Sequence, residues 1–135
     1  MEKELNKIRK NSIIEISSWG GLSLTPGTSG TIITKDYYVY RYHQYHRVPL
    51  DLQDKIPLEY LSKPIKLNDK TINNINKFIE ENILNKEFEE VFILDASFHL
   101  TIKHNNQTIT INNYPNLNSK LNRIIERGIN NEKEQ

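Results

Sequence analysis

Asp95, Ser97 and His99 occur at every second position of one segment. These are the three residue types that form the catalytic triad of serine hydrolases. On a strand these side chains share a face, but neighbours at i and i+2 stand about 6.5 to 7 Å apart. A nucleophile and its base must come within about 2.6 to 3.2 Å, and triads are usually assembled from separate elements. Unless the side chains bend strongly toward each other, the spacing is too wide. We interpret the row as a polar strand surface and expect that the protein is not an enzyme.

The histidines are the other candidates for chemistry, as metal ligands. His43 and His46 have opposite parity on a strand, as have His99 and His104, so neither pair can share a metal ion without a bulge or another element. The chain contains no cysteine, which removes thiolate ligands and disulfide bonds. We expect neither a metal nor a cofactor.

A glycine-rich segment surrounds the only tryptophan, Trp19. Residues 18–30 contain four glycines and a proline. The segment lacks the Gly-Lys-Ser/Thr signature of a phosphate-binding loop and precedes a strand pattern rather than a helix pattern. It is therefore either a long hairpin loop or a projecting loop that a partner grips.

Five of the seven tyrosines fall within residues 37–45, in a segment that also carries arginine and histidine. On a strand, Tyr40 and Tyr42 point to one face while Arg41 and His43 point to the other. We expect one face to support the core and the other to contact a partner. Such a surface could also stack single-stranded bases, but a net charge of +1 supplies little attraction for phosphates. A protein partner is favoured, with single-stranded nucleic acid as the alternative.

The remaining pattern predicts an α+β fold with an antiparallel sheet of about four to five strands from two hairpins and two main helices packed on one face. The strand patterns cover 12–17, 31–34, 37–47, 90–104 and 108–113, with turns at Lys35-Asp36 and 105–107. Apolar residues recur at helical spacing in two stretches: Ile72, Ile75, Phe78, Ile79 and Ile83, then Leu117, Leu121, Ile124, Ile125 and Ile129. Between the tyrosine strand and the first of these stretches, the proline-containing connector 48–67 is expected to hold at most one turn of helix, at 58–62.

The whole chain, 1–135, is predicted to be a single domain with 1–11, including a short helix at 2–10, and 130–135 peripheral or frayed. No stretch is apolar enough for a membrane span, and the N-terminus lacks the apolar core of a signal peptide. These features predict a soluble, cytoplasmic protein. The richness in Asn, Ile and Lys is typical of AT-rich coding and indicates a bacterial or phage origin. Exposed sheet edges would permit a homodimer.

Landmarks along the chain resemble the emfourin family, small bacterial inhibitors of thermolysin-like metalloproteases. The strand Ile14-Glu15-Ile16-Ser17 runs into Trp19-Gly20-Gly21-Leu22, and Asn113-Tyr114-Pro115-Asn116-Leu117 leads into the last helix. The resemblance implies that the loop Trp19, Gly20, Gly21 and Leu22 enters a partner's cleft, with Tyr40, Arg41, Tyr42 and His43 broadening the contact. We therefore predict a non-enzymatic protein-binding module that inhibits or neutralises a protein partner, such as a protease, a toxin or a defence protein.

Overall fold

The computed structural model describes residues 1–21 and 24–133, with side chains to residue 130. Within them the chain forms an antiparallel seven-stranded sheet and three α-helices. The strands are β1 Ser12–Gly20, β2 Gly27–Thr34, β3 Tyr38–Tyr45, β4 Glu59–Leu61, β5 Ile65–Lys66, β6 Ala96–His104 and β7 Gln107–Asn112. The helices are α1 Glu2–Lys10, α2 Asp69–Asn82 and α3 Pro115–Lys133, and a 3₁₀ turn spans Leu50–Leu52. None of these helices is long and apolar enough to cross a membrane.

The sheet order is β4-β3-β2-β1-β6-β7, with β5 also pairing with β3. The α+β class and the antiparallel sheet are confirmed, whereas the expected number of strands, four to five, was too low. Both hairpins have their predicted turns. Tyr37 has φ 62°, and Asn105 and Asn106 have φ 47° and 64°, so each turn uses the left-handed conformation that tight hairpins require.

The two additional strands come from the connector, where a turn of helix was predicted wrongly. β4 and β5 pair with the outer edge of β3 on either side of Pro64. Between them Ser62 completes the ladder: its N–H donates to the carbonyl of Arg41 at 2.8 Å, and its Oγ accepts from the N–H of Arg41 at 2.8 Å. The unpaired backbone groups of β3 outweigh a weak local helical preference, because an edge gains hydrogen bonds from any extended segment that reaches it.

The strand predicted at 90–104 begins only at Ala96. Ala96 lies opposite Gly20, the last residue of β1, so the chain before it has no strand to pair with. Asp95 has φ 58°, and its carbonyl accepts from the N–H of Gly21 at 3.2 Å. Residues 86–93 consequently follow an irregular path outside the sheet.

Apolar cores lie on both faces of the sheet. α2 and α3 cover the larger core, which includes Ile14, Ile16, Ile33, Val39, Leu100, Ile102 and Ile111 from the strands. On the other face α1 buries Leu5 against Ile32 and Tyr42. Leu5 is 0% exposed, so the N-terminal helix, which was expected to be peripheral, holds a buried residue. The other segment of that prediction, 130–135, ends outside the described residues.

Candidate protein-binding surface

The four residues predicted on the tyrosine strand are divided between the two faces of the sheet. Tyr40 and Tyr42 pair with Ile32 and Gly30 on β2, and Ile32 faces α1. Arg41 lies on the opposite face, where its Nη1 reaches Oε1 of Glu126 on α3 at 2.5 Å. The strand therefore presents two half-surfaces rather than one aromatic edge.

Tyr42 belongs to the interior, with 3% of its surface exposed. Its hydroxyl donates to Oε2 of Glu15 at 2.7 Å and accepts from Nη2 of Arg9 at 3.2 Å, and Nε of Arg9 donates to Oε1 of Glu15 at 3.1 Å. Burial, reinforced by the charge of Glu15, raises the pKa of Tyr42 to about 12. Its ring lies against Gly30, where a Cβ would stand 2.5 Å from the phenol. Tyr42 thus joins α1 to the sheet and is not accessible to a partner.

His43 is held in an aromatic group at the other face. Its Nε2 lies 2.9 Å from the carbonyl oxygen of Pro57, so this nitrogen carries the proton and donates. The imidazole stacks on Tyr45 with ring centroids 4.3 Å apart and on Tyr60 at 5.3 Å. These contacts fix the ring orientation and leave Nδ1 as the acceptor.

Trp19 lies at the end of β1 and is 38% exposed. Its neighbours across the sheet are Thr28 and Ser97. The indole folds over Gly21, where a Cβ would stand 2.7 Å from the ring, so a larger residue at this position would displace the indole. The remaining predicted loop residue, Leu22, lies outside the described residues.

The most exposed apolar side chains beside this loop were not predicted. Phe92 is 86% exposed and Leu94 is 75% exposed, in the irregular segment before β6. Backbone contacts hold that segment: the carbonyl of Glu89 accepts from the hydroxyl of Tyr114 at 2.9 Å, and the carbonyl of Val91 accepts from Nδ2 of Asn113 at 2.6 Å. The side chains therefore project from an anchored backbone rather than from a loose loop.

We call Trp19, Leu24, Phe92 and Leu94 the apolar rim. The hydrogen bond from the N–H of Gly21 to the carbonyl of Asp95 brings the backbone next to Trp19 close to the backbone next to Leu94. Leu24 is 75% exposed, like Leu94. The apolar run 91–94 was a usable signal, since it does not alternate with polar residues as a half-buried strand does. The strand predicted at 90–104 includes this run, and the structure places it before β6.

Asp95, Ser97 and His99 are the residues that resemble a hydrolase site. The side chains of Ser97 and His99 lie closer together than the strand spacing indicates. Nε2 of His99 lies 3.1 Å from Oγ of Ser97, and Nδ1 of His99 lies 2.8 Å from Oδ1 of Asn112. The side chains bend toward each other, so spacing alone was a poor argument against contact. Asp95 instead occupies the turn before β6. Asn112 stands where a carboxylate stabilises the imidazolium of a triad, and it carries no charge to do so.

Among residues 1–21 and 24–133, no group of three His, Asp or Glu side chains is placed to hold a metal ion. Comparison with known proteins finds no matching family model, curated protein or solved structure. The function is accordingly inferred from the geometry of the apolar rim.

Proposed function

We propose that this chain is a protein-binding module that blocks or neutralises a partner protein through the apolar rim. The observation that carries the proposal is that Phe92 and Leu94 are almost fully exposed although the backbone that bears them is anchored. A group of large, exposed apolar side chains on a monomer can mark an interaction site. A surface of this kind fits a partner's hydrophobic cleft.

The energetics favour such a contact. Burying a Phe or Leu side chain removes apolar area from water and contributes about 1.5–3 kcal/mol. Because hydrogen bonds to Tyr114 and Asn113 already order the segment, binding loses less conformational entropy than it would with a flexible loop. Trp19 adds an aromatic side chain of the type that most often dominates interface energy.

The resemblance to emfourins suggests a thermolysin-like metalloprotease as the first partner to test. In this proposal the Trp19 to Leu22 loop enters the protease cleft, while Phe92 and Leu94 contact its wall. The half-surface with Arg41 and His43 extends the contact. Tyr42 has no part in it because it is buried beneath α1.

The rim is tested by affinity capture from the host and by protease inhibition. We expect Phe92→Ser/Leu94→Ser to lose the captured partner and any inhibition of a purified thermolysin-like protease. Leu50→Ser is the matched control, because Leu50 is 87% exposed in the 3₁₀ turn and lies outside the rim. Trp19→Ala should weaken the same binding.

Both the capture assay and the inhibition assay can contradict the proposal. Equal capture by the wild type and the rim variant would show that the rim is not the contact surface. If the rim binds a partner but the chain does not inhibit the protease, protein binding is supported. A thermolysin-like metalloprotease is then excluded as the partner. Circular dichroism checks that each variant is folded, since replacing exposed residues should leave stability nearly unchanged.

A further inference from the structure

The two edges of the sheet differ in how they are protected. At one edge β4 and β5 are only three and two residues long. Pro57 and Pro64 lie on either side of β4, and Glu59 and Lys66 add charges. Short strands, prolines and charged side chains are devices that keep an edge from pairing with another chain. At the other edge β7 pairs residue for residue with β6 and contains neither a proline nor a charged side chain, so it is open to a further strand.

The ladder between β6 and β7 identifies the backbone groups that point outward. The N–H of Asn113 donates to the carbonyl of Phe98 at 2.7 Å, so these two residues form a hydrogen-bonded pair. Such pairs alternate with non-bonded pairs along an antiparallel ladder, so Ile109 and Ile111 bond to β6. The residues whose N–H and C=O groups point away from β6 are Thr108, Thr110 and Asn112. All three are exposed, and no strand among residues 1–21 and 24–133 pairs with their outer side.

This row of outward groups is complementary to a second copy of itself. When two β7 strands run antiparallel with Thr110 opposite Thr110, Thr108 of each copy lies opposite Asn112 of the other, and every outward N–H and C=O group is paired. A shift of one residue would place Thr110 opposite a residue whose backbone already bonds to β6. A shift of two residues would leave one of the three residues without a partner in β7. Self-pairing therefore forms the most hydrogen bonds in one register, with a twofold axis at Thr110.

The side chains of β7 suit the same register. Ile109 then lies opposite Ile111 of the second copy, on the face of the sheet that carries the larger core. In non-hydrogen-bonded pairs the Cα atoms stand about 4.5 Å apart, so these two side chains come into contact. On the other face Thr110 lies opposite Thr110, and Thr–Thr pairs are among the cross-strand pairs that stabilise antiparallel sheets.

The charges near this edge also favour self-pairing. Lys103 lies on β6 opposite Thr108, and strands spaced about 4.8 Å apart put the β6 strands of the two copies about 14 Å from each other, beyond the Debye length of about 8 Å. The acidic stretch 87–90 is anchored at the other end of β7, where Glu89 bonds to Tyr114. In the register centred on Thr110, that end of one copy lies beside the end of the second copy that carries Lys103. Opposite charges are thus brought to the same end of the contact.

We propose that β7 is the dimerisation edge of this protein, at which two copies pair antiparallel about Thr110 and join their sheets into one. The contact is a single strand pair and is small for a specific interface, so we expect a Kd of about 10–100 µM. The proposal does not depend on protein binding at the apolar rim. The rim variant Phe92→Ser/Leu94→Ser leaves β7 unchanged and should dimerise like the wild type.

The experiment is sedimentation velocity of the full chain between about 5 and about 500 µM, a range that brackets the expected Kd. Thr110→Lys and Thr110→Glu each place like charges opposite one another on the axis, so each alone should weaken the dimer about tenfold. An equimolar mixture of the two pairs opposite charges and should restore dimerisation. Thr108→Lys is the matched control, because its charge lies opposite Asn112 and should change the Kd by no more than about twofold.

A second variant tests the backbone pairing without a charge. Thr110→Pro removes an outward N–H and keeps the ladder to β6, as proline does on natural edge strands, so it should abolish the dimer. In the wild type, the outward amides of Thr108, Thr110 and Asn112 should exchange hydrogen more slowly at high than at low protein concentration. Circular dichroism checks that each variant is folded, and the charge variants remain decisive if Thr110→Pro is not.

Several results would overturn the proposal. They are a monomer at every concentration, a dimer that survives Thr110→Pro, no recovery in the mixture of charge variants, and loss of the dimer in the rim variant. A monomeric wild type whose capture of a host protein is lost in Thr110→Pro would also reject self-pairing, and would assign the edge to a strand of that partner.

Discussion

At the scale of single residues, Tyr42 illustrates how a recognition-type side chain becomes structural. Its phenol connects Glu15 on β1 with Arg9 on α1. Ser97 and His99 show that side chains can also come closer than strand spacing predicts. Nε2 of His99 lies 3.1 Å from Oγ of Ser97. Residue type therefore indicates what a side chain can do, while its neighbours decide whether it does so.

Replacing Tyr42 with Phe should lower the free energy of unfolding by about 1.5–3 kcal/mol at neutral pH, because a hydrogen bond to a charged acceptor is lost. The pKa of Tyr42 is about 12 when folded and near 10 when unfolded. The wild-type advantage is therefore fully present below about pH 10 and disappears as the pH rises through about 12. Urea unfolding of both proteins at about pH 8 and about pH 11.5 should show the difference shrinking.

Tyr60→Phe is the control for this comparison, since Tyr60 is 45% exposed and forms no bond to Glu15. It should change stability little at either pH. If the difference between the wild type and Tyr42→Phe were equal at both pH values, the buried phenol would not be the group that titrates.

At the scale of elements, α2 and α3 pack at a distance set by Gly128. A Cβ at Gly128 would stand 2.3 Å from Oγ1 of Thr71, which is buried in the first turn of α2. Asn68 caps that turn: its Oδ1 accepts from the N–H of Thr71 at 2.8 Å. Gly128 therefore permits close contact between α2 and α3.

Gly128→Ala should destabilise the protein by about 1–3 kcal/mol, because the added methyl group clashes with Thr71. Helix propensity alone predicts the reverse, a gain of about 1 kcal/mol. Adding Thr71→Ala should restore part of the loss and leave the cap intact, since the cap uses the backbone N–H. Thermal unfolding of the two single variants and the double variant measures the coupling. A more stable Gly128→Ala protein would contradict close packing here.

At the scale of the whole molecule, the two faces of the sheet are covered by different helices. α1 covers part of one face, α2 and α3 cover the apolar part of the other, and the apolar rim lies beyond the ends of β1 and β6. The net charge is only +1. Binding at the rim should therefore depend on apolar contact rather than on long-range attraction.

Salt dependence separates the proposed function from its nucleic-acid alternative. We expect the affinity for a protein partner to change little between about 50 and 200 mM salt, and single-stranded oligonucleotides to bind negligibly at the higher value. Fluorescence anisotropy measures the second quantity directly. Tight oligonucleotide binding that falls steeply with salt and is lost in Tyr40→Ala would instead favour base stacking on the tyrosine strand.

The amino-acid sequence alone determined the α+β class and both hairpin turns, because turn formation and apolar periodicity act over a few residues. It did not show that Tyr42 is buried, that 59–61 is a strand or that Phe92 projects outward. Those outcomes depend on which distant segments meet: α1 over Tyr42, the open edge of β3, and the end of β1 at Gly20. Tertiary structure decided which apolar side chains are exposed, because exposure is a property of the packed chain.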